Sequence, residues 1–104
     1  MPSTTSLITR LLLLLLVSIA PVLAQNPVAV GVVVSHSGPH AELAEGYGEA
    51  LLLWQEEVNA AGGLLGRGVA LRVLDDGSTA SRAGALYEEL IKKERVELLI
   101  GPYG

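Results

Sequence analysis

The stretch that most constrains this chain is Pro27 to Val34, PVAVGVVV, an apolar, valine-rich run. Successive side chains of a strand point to opposite faces, so a strand with one wet face alternates apolar and polar residues. A run with no polar position offers neither face to water. It predicts a strand buried on both sides, the pattern of a parallel sheet with helices packed against it. Gly31 is its one interruption.

The rest of the chain supplies the partners such a strand needs. After the loop SHSGPH, a long helix is expected from Pro39 or His40 to Ala61, with Pro39 suited to a first helical position. Ala44, Tyr47, Leu51, Trp54, Val58 and Ala61 recur three and four apart, an apolar stripe for packing on a sheet. Glu42, Glu45, Glu49 and Glu56 repeat on another, solvated face. Val69 to Leu74 reads as a second strand, and Arg72 within it suggests an edge position. Ser78, Thr79 or Ser81 is expected to cap a second helix that buries Ala80, Ala83, Tyr87, Leu90 and Ile91 and carries Lys92 and Lys93 near its C-terminus. Val96 to Ile100 is the third strand, followed by Gly101-Pro102-Tyr103-Gly104. Strand, helix, strand, helix, strand implies right-handed crossovers and an α/β fold with a parallel sheet, and strand order 2-1-3 is expected. Two helices are not expected to cover both faces of three strands, so residues 25–104 are read as the first part of a longer protein.

Residues 1–24 are read apart from this unit. Met1 to Arg10 is a polar stretch with one positive charge, Leu11 to Ala20 is apolar, and Pro21-Val22-Leu23-Ala24 brings a helix breaker and small residues. That is the pattern of a secretory signal peptide cleaved after Ala24. A membrane-spanning helix needs about 20 consecutive apolar residues, and Leu11 to Ala24 falls short of that and is interrupted by Ser18 and Pro21. Cysteine is absent, which excludes disulfides, a cysteine zinc site and an N-terminal lipid-modified cysteine. A soluble periplasmic product is expected. The formal net charge is −4, or −5 once Arg10 is removed, and the longest basic run is Lys92-Lys93, so nucleic acid is an unexpected partner.

Candidate chemistry is thin. Four glycines lie between Gly62 and Gly68, but a phosphate loop requires G-x-x-x-x-G-K-[ST] between a strand and a helix. From Gly63 the match runs into Val69 and Ala70, and the order of elements is reversed. A helix C-cap at Gly62 and Gly63 is the better reading, with Leu64, Leu65 and Gly68 tucking the connection under the sheet. The loop after the first strand has one glycine, and Pro39 removes an N–H that a dinucleotide would use. Without that fingerprint, Asp75 and Asp76 read as turn and helix-start residues rather than as a ribose ligand. His36 and His40 lack a third metal ligand, and Ser35 and Ser37 lack the G-x-S-x-G elbow of a hydrolase. No cofactor, no metal and no catalytic residue is expected. In open parallel sheets the ligand sits outside the carboxyl ends of the strands, at a switch in strand order. Ser35–His40 and Gly101–Gly104 are those loops, and their small residues, free backbone donors and helix N-terminus suit an anionic group.

The segments SGPHAELAEGYGEALLLWQEEVNAAGGLLGRGVALRVLDDGS, ALYEELI and LLIGPYG together resemble the periplasmic leucine/isoleucine/valine-binding proteins, the type I solute-binding proteins of branched-chain amino acid ABC transporters. S-G-P after the first strand, N-A-x-G-G-L-x-G-R, D-D after the second and I-G-P after the third carry the likeness, which covers nearly all of Asn26 to Gly104. The resemblance implies a Rossmann-like lobe, one of two hinged around a small ligand, and a closed form read by a membrane permease. It implies a non-enzymatic monomer that binds an amino acid or a similar small polar metabolite. The ligand-binding residues it points to are Ser35, Ser37, Gly38, His40 and Leu43 on the first loop and helix, and Gly101, Pro102, Tyr103 and Gly104 on the last. Many branched-chain binders carry an aromatic residue where Leu43 stands, and the expected hydroxyl residue would follow Gly104. A ligand-sensing domain of a signalling receptor is the alternative on the same fold.

Overall fold

The structure is a computed structural model that describes residues 4–23 and 26–102, with side chains of the first segment described as far as Leu13. The expected cleavage site at Ala24 and Gln25, and the expected ligand residues Tyr103 and Gly104, lie outside the described residues. The elements are α1 (Thr4–Leu23), β1 (Val28–Val34), α2 (Ala41–Ala60), β2 (Val69–Asp75), a 3-10 turn (Ala80–Arg82), α3 (Ala83–Lys92) and β3 (Leu98–Ile100). Strand β1 lies against β2, β3 and α3, α2 lies against β2, and α3 meets the 3-10 turn. Among the described residues, no helix is long and apolar enough to cross a membrane.

The sheet has the expected order, β2-β1-β3, and every pairing is parallel. Strand β1 is central, with Val28 opposite Val69 and Val32 opposite both Val73 and Ile100. Val28, Val30, Val32 and Val34 are buried on one face, where Ala44, Tyr47, Leu51, Trp54 and Val58 of α2 pack on them. The other face meets α3: Leu90 is completely buried, and a Cβ on Gly31 would lie 3.1 Å from both Leu90 Cδ1 and Val96 Cγ2. Gly31 therefore interrupts the valine run because the α3 side needs the space. Burying each valine contributes about 1.5–3 kcal/mol relative to leaving it exposed.

One helix thus lies on each face, so both faces of the central strand β1 are covered. Within the sheet, the large apolar side chains left exposed are on the edge strands, at Val73, Leu98 and Leu99. The first outer backbone groups of edge strand β2 are answered by α2. Asn59 accepts from Val69 N–H at 2.6 Å and donates to Val69 C=O at 3.0 Å, and Gln55 Oε1 accepts from Leu71 N–H at 2.7 Å. Arg72 is exposed and pairs loosely with Glu94 at 3.7 Å, as an edge residue would.

Several local expectations are corrected. Pro39 and His40 form a turn, and α2 starts at Ala41. Ala61 and Ala80 are exposed, and so is Ile91, because α3 begins only at Ala83 and turns Leu86, Tyr87 and Leu90 inward instead. No side-chain hydrogen bond caps the 3-10 turn or α3, since the Ser78 hydroxyl is used elsewhere. Strand β3 is shorter than expected because Val96 is spent covering Gly31. The glycine turn does stop α2: Gly62 and Gly63 have φ of 105° and 82°, and Gly63 N–H bonds Val58 C=O at 2.8 Å. Leu64 packs on the core, but Leu65 does not tuck under the sheet; it sits fully exposed at φ 51°. Arg67 then fastens this turn to the start of the third strand, with two bonds to the Glu97 carboxylate at 2.9 and 2.7 Å.

Candidate ligand-binding site

At the carboxyl ends of the strands, the loops after β1 and β2 are stitched together by two adjacent aspartates. Asp75 Oδ1 accepts from His36 N–H at 2.8 Å, Ser37 N–H at 3.2 Å and Gly77 N–H at 2.8 Å, and its Oδ2 accepts from the Ser37 hydroxyl at 2.6 Å. These bonds, led by the Ser37 hydroxyl and the Gly77 N–H, lower the Asp75 pKa to about 2. Asp76 Oδ1 accepts from the Ser35 hydroxyl and from Ser78 N–H, each at 2.8 Å. The Ser78 hydroxyl donates to Ser37 C=O at 2.6 Å and accepts from His40 N–H at 3.0 Å. Gly38 lies against this junction at φ 85°, and a Cβ there would come within 2.7 Å of the Gly77 carbonyl oxygen. Both the backbone conformation and the space exclude a larger residue.

The aspartates therefore do make turns, each accepting from the N–H two residues on. What the sequence did not reveal is that they reach 38 to 41 residues back to hold the first loop. The donors at His36, Ser37 and His40 are consequently occupied rather than free. The N-terminus of α2 also has its own acid, Glu42, in the first turn. An anionic group is thus less well served by this loop than the small residues and helix start suggested.

The third loop is held by tyrosines from both sides of the sheet. Tyr87 of α3 donates to Ile100 C=O at 2.5 Å and accepts from Val33 N–H at 3.4 Å. Tyr47 of α2 donates to Gly101 C=O at 3.0 Å. Burial raises the Tyr87 phenol pKa above its ordinary value. In the sequence both tyrosines registered only as members of apolar stripes, because the carbonyls they serve belong to another element.

Between the three loops lies a cleft of about 190 Å³ lined by Ser35, His40, Asp76, Ser78, Ala80, Ala83 and Pro102. Ser35, His40 and Pro102 were expected at the site; Asp76, Ser78, Ala80 and Ala83 were not. Ser37 and Gly38 support the loop behind the cleft through the bonds and contacts above, and Gly101 is held by Tyr47. Leu43 is exposed on α2 and is not part of the lining. His36 belongs to a separate depression with Ala41, Glu42 and Glu45. Among the described residues, no three His, Cys, Asp or Glu side chains are grouped to hold a metal. The cleft can receive a small polar group between hydroxyl, imidazole and carboxylate side chains.

The chain is similar to the branched-chain amino acid transporter substrate-binding protein LivJ of Streptococcus pneumoniae, solved with isoleucine: TM-score 0.70 and 25% identity, over 74% of this chain and 22% of that one. It is similar to a solute-binding ABC transporter protein of R. palustris in complex with benzoate, with TM-score 0.62 and 33% identity over 74% of this chain and 21% of that one. A possible leucine/isoleucine/valine-binding protein of Rhodopirellula baltica aligns with TM-score 0.67 and 26% identity, over 76% of this chain and 21% of that one. The chain spans about a fifth of the length of these relatives. The sequence profile of the periplasmic binding proteins matches residues 27–104, which takes in every strand of the sheet and all three loops around the cleft. The chain belongs to the periplasmic binding protein family, whose members hold solutes rather than transform them.

Proposed function

We propose that this protein is the extracytoplasmic solute-binding component of an ABC transporter, and that its solute is an amino acid or a similar small polar metabolite. The observation that carries the reading is the cleft where the loops after all three parallel strands converge, in a chain of this family. That is where open α/β sheets hold ligands. Relatives with this fold were solved with isoleucine and with benzoate, so the size class is a small carboxylate-bearing molecule. In this reading residues 25–104 build the first part of one lobe, Ser35, His40 and Pro102 face the solute, and Ser37, Gly38 and Gly101 shape the loops. A second lobe closes the site and a permease reads the closed, monomeric form. Residues 1–24 are the signal peptide that directs the product to the periplasm.

Thermal-shift measurements on the full-length protein against amino acids, their amides and small organic acids test the reading, because a ligand that binds only the folded state raises the midpoint with concentration. Saturable stabilisation by at least one of them is expected, and silence across the whole panel refutes it. N-terminal sequencing of the secreted protein should begin at Gln25; retention of Met1 would refute the cleaved signal.

A further inference from the structure

Strand β2 borders the sheet, and the bonds along its outer side come from a helix rather than from another strand. Gly68 C=O accepts from Val28 N–H at 2.6 Å on the β1 side, so alternation turns the peptide groups of Val69, Leu71 and Val73 outward. In an antiparallel pairing, a neighbouring strand would answer Val69 by exchanging two bonds with it. The Asn59 side chain does so instead, accepting from Val69 N–H at 2.6 Å and donating to Val69 C=O at 3.0 Å. Gln55 Oε1 then accepts from Leu71 N–H at 2.7 Å. A primary amide carries the donor and the acceptor of a peptide group, so these two side chains stand in for a strand's backbone.

The substitution works because the pitches nearly agree. Four residues of helix rise about 6.0 Å and two residues of strand about 6.6 Å, so side chains one turn apart on α2 meet alternate residues of β2. One turn further along the same row is Leu51, which is buried with Val32 and Val34 and has no polar atom. Packing does not require the amides, since Ala44, Leu51, Trp54 and Val58 already hold α2 on the sheet.

A sheet edge with open peptide groups is a template for another strand, and β2 is self-complementary. Paired antiparallel with a second copy about Leu71, Val69 would face Val73 on one side of the sheet, and Arg72 would face Ala70 rather than another Arg72 on the other. We propose that Asn59 and Gln55 keep the protein from associating with itself, and that removing their amides lets β2 pair with β2 of a second copy. Such a two-fold pairing is closed and stops at two chains. This holds whatever the solute is, because neither residue lines the cleft.

The test is light scattering coupled to size exclusion on the full-length protein, over a series of concentrations. The wild type should keep the mass of one chain throughout. Gln55→Ala/Asn59→Ala should rise toward twice that mass with concentration, and amide exchange at Val69 and Leu71 should slow as it does so. Adding Val73→Lys, a charge at an exposed edge position, should return the double variant to the mass of one chain. Leu90→Ala, which loses packing on the α3 side, should keep the mass of one chain although it is destabilised. A folded double variant with the mass of one chain at every concentration overturns the proposal, as does equal association of Leu90→Ala, which would trace the effect to lost stability. A wild type already at the mass of two chains overturns it too, together with the monomeric state, and leaves solute binding untouched. If the double variant does not fold, Gln55→Ala alone decides: it removes one bond and should still gain mass with concentration.

Discussion

Replacing Tyr87 with phenylalanine removes one oxygen and leaves the ring in place. That oxygen donates to Ile100 C=O at 2.5 Å and accepts from Val33 N–H at 3.4 Å, so it ties the exit of β3 to the carboxyl end of β1. The second contact is long enough to contribute little. The first is short and partly buried, where a hydrogen bond contributes about 0.5–1.5 kcal/mol and an acceptor left unanswered costs about 1–3 kcal/mol. We therefore expect Tyr87→Phe to destabilise the protein by about 1–2 kcal/mol, measured by urea unfolding at neutral pH with an unchanged denaturant slope. Faster amide exchange at Ile100 and Gly101 should accompany the loss. The phenol pKa is raised above its ordinary value of 10.0, chiefly by burial. Its stabilisation is therefore fully present below pH 10 and fades as pH rises through the folded-state value, so the wild type and the variant should converge in strong alkali. A variant within about 0.5 kcal/mol of wild type at neutral pH, the scatter of ordinary surface substitutions, would refute the claim that this hydroxyl holds the loop.

Gly31→Ala places a methyl group 3.1 Å from Leu90 and Val96, and denaturation should show a loss of about 1–3 kcal/mol from overpacking; a neutral result would mean that α3 is free to retreat. Leu90→Ala should cost about 2–5 kcal/mol, while its neighbour Ile91→Ala should stay within about 0.5 kcal/mol, because the first is 0% and the second 52% exposed. Asp75 has a folded-state pKa of about 2 against an ordinary 3.8. Its clasp on the first loop should hold above pH 4 and be released as pH falls toward 2, and Ser37→Ala should move the release to higher pH in a carboxyl-carbon NMR titration. An unshifted titration would remove the Ser37 hydroxyl as the main cause.

The valine run, the two helices and the parallel order could be read in the sequence because each is written in local periodicity. Gly62 and Gly63 were legible as a helix stop for the same reason, since a C-cap depends on neighbours a few residues away. The misreadings share a different cause. Ile91 fits the apolar stripe of a helix that starts early, and only the 3-10 turn at Ala80–Arg82 shifts the face that α3 presents. Leu65 looks like core, yet its left-handed backbone at a turn throws the side chain outward. The carboxylates at Asp75 and Asp76 resemble ordinary turn residues because their other partners, Ser35 and Ser37, become neighbours only when β1 and β2 pair. Four of the seven lining residues, Asp76, Ser78, Ala80 and Ala83, were hidden in that way, and only the adjacency of two acids in a chain with so few bases hinted at it.

The Asp75 clasp also bears on how such a binding surface changes over generations. The backbone donors of His36 and Ser37 are answered by a side chain of the protein itself, so the first loop holds its shape without help from any solute. Residues that face outward from it, such as His40, are then released from an architectural duty. Substitutions there alter what is recognised without unravelling the frame, and a new preference lies one point mutation away rather than one refolding event away.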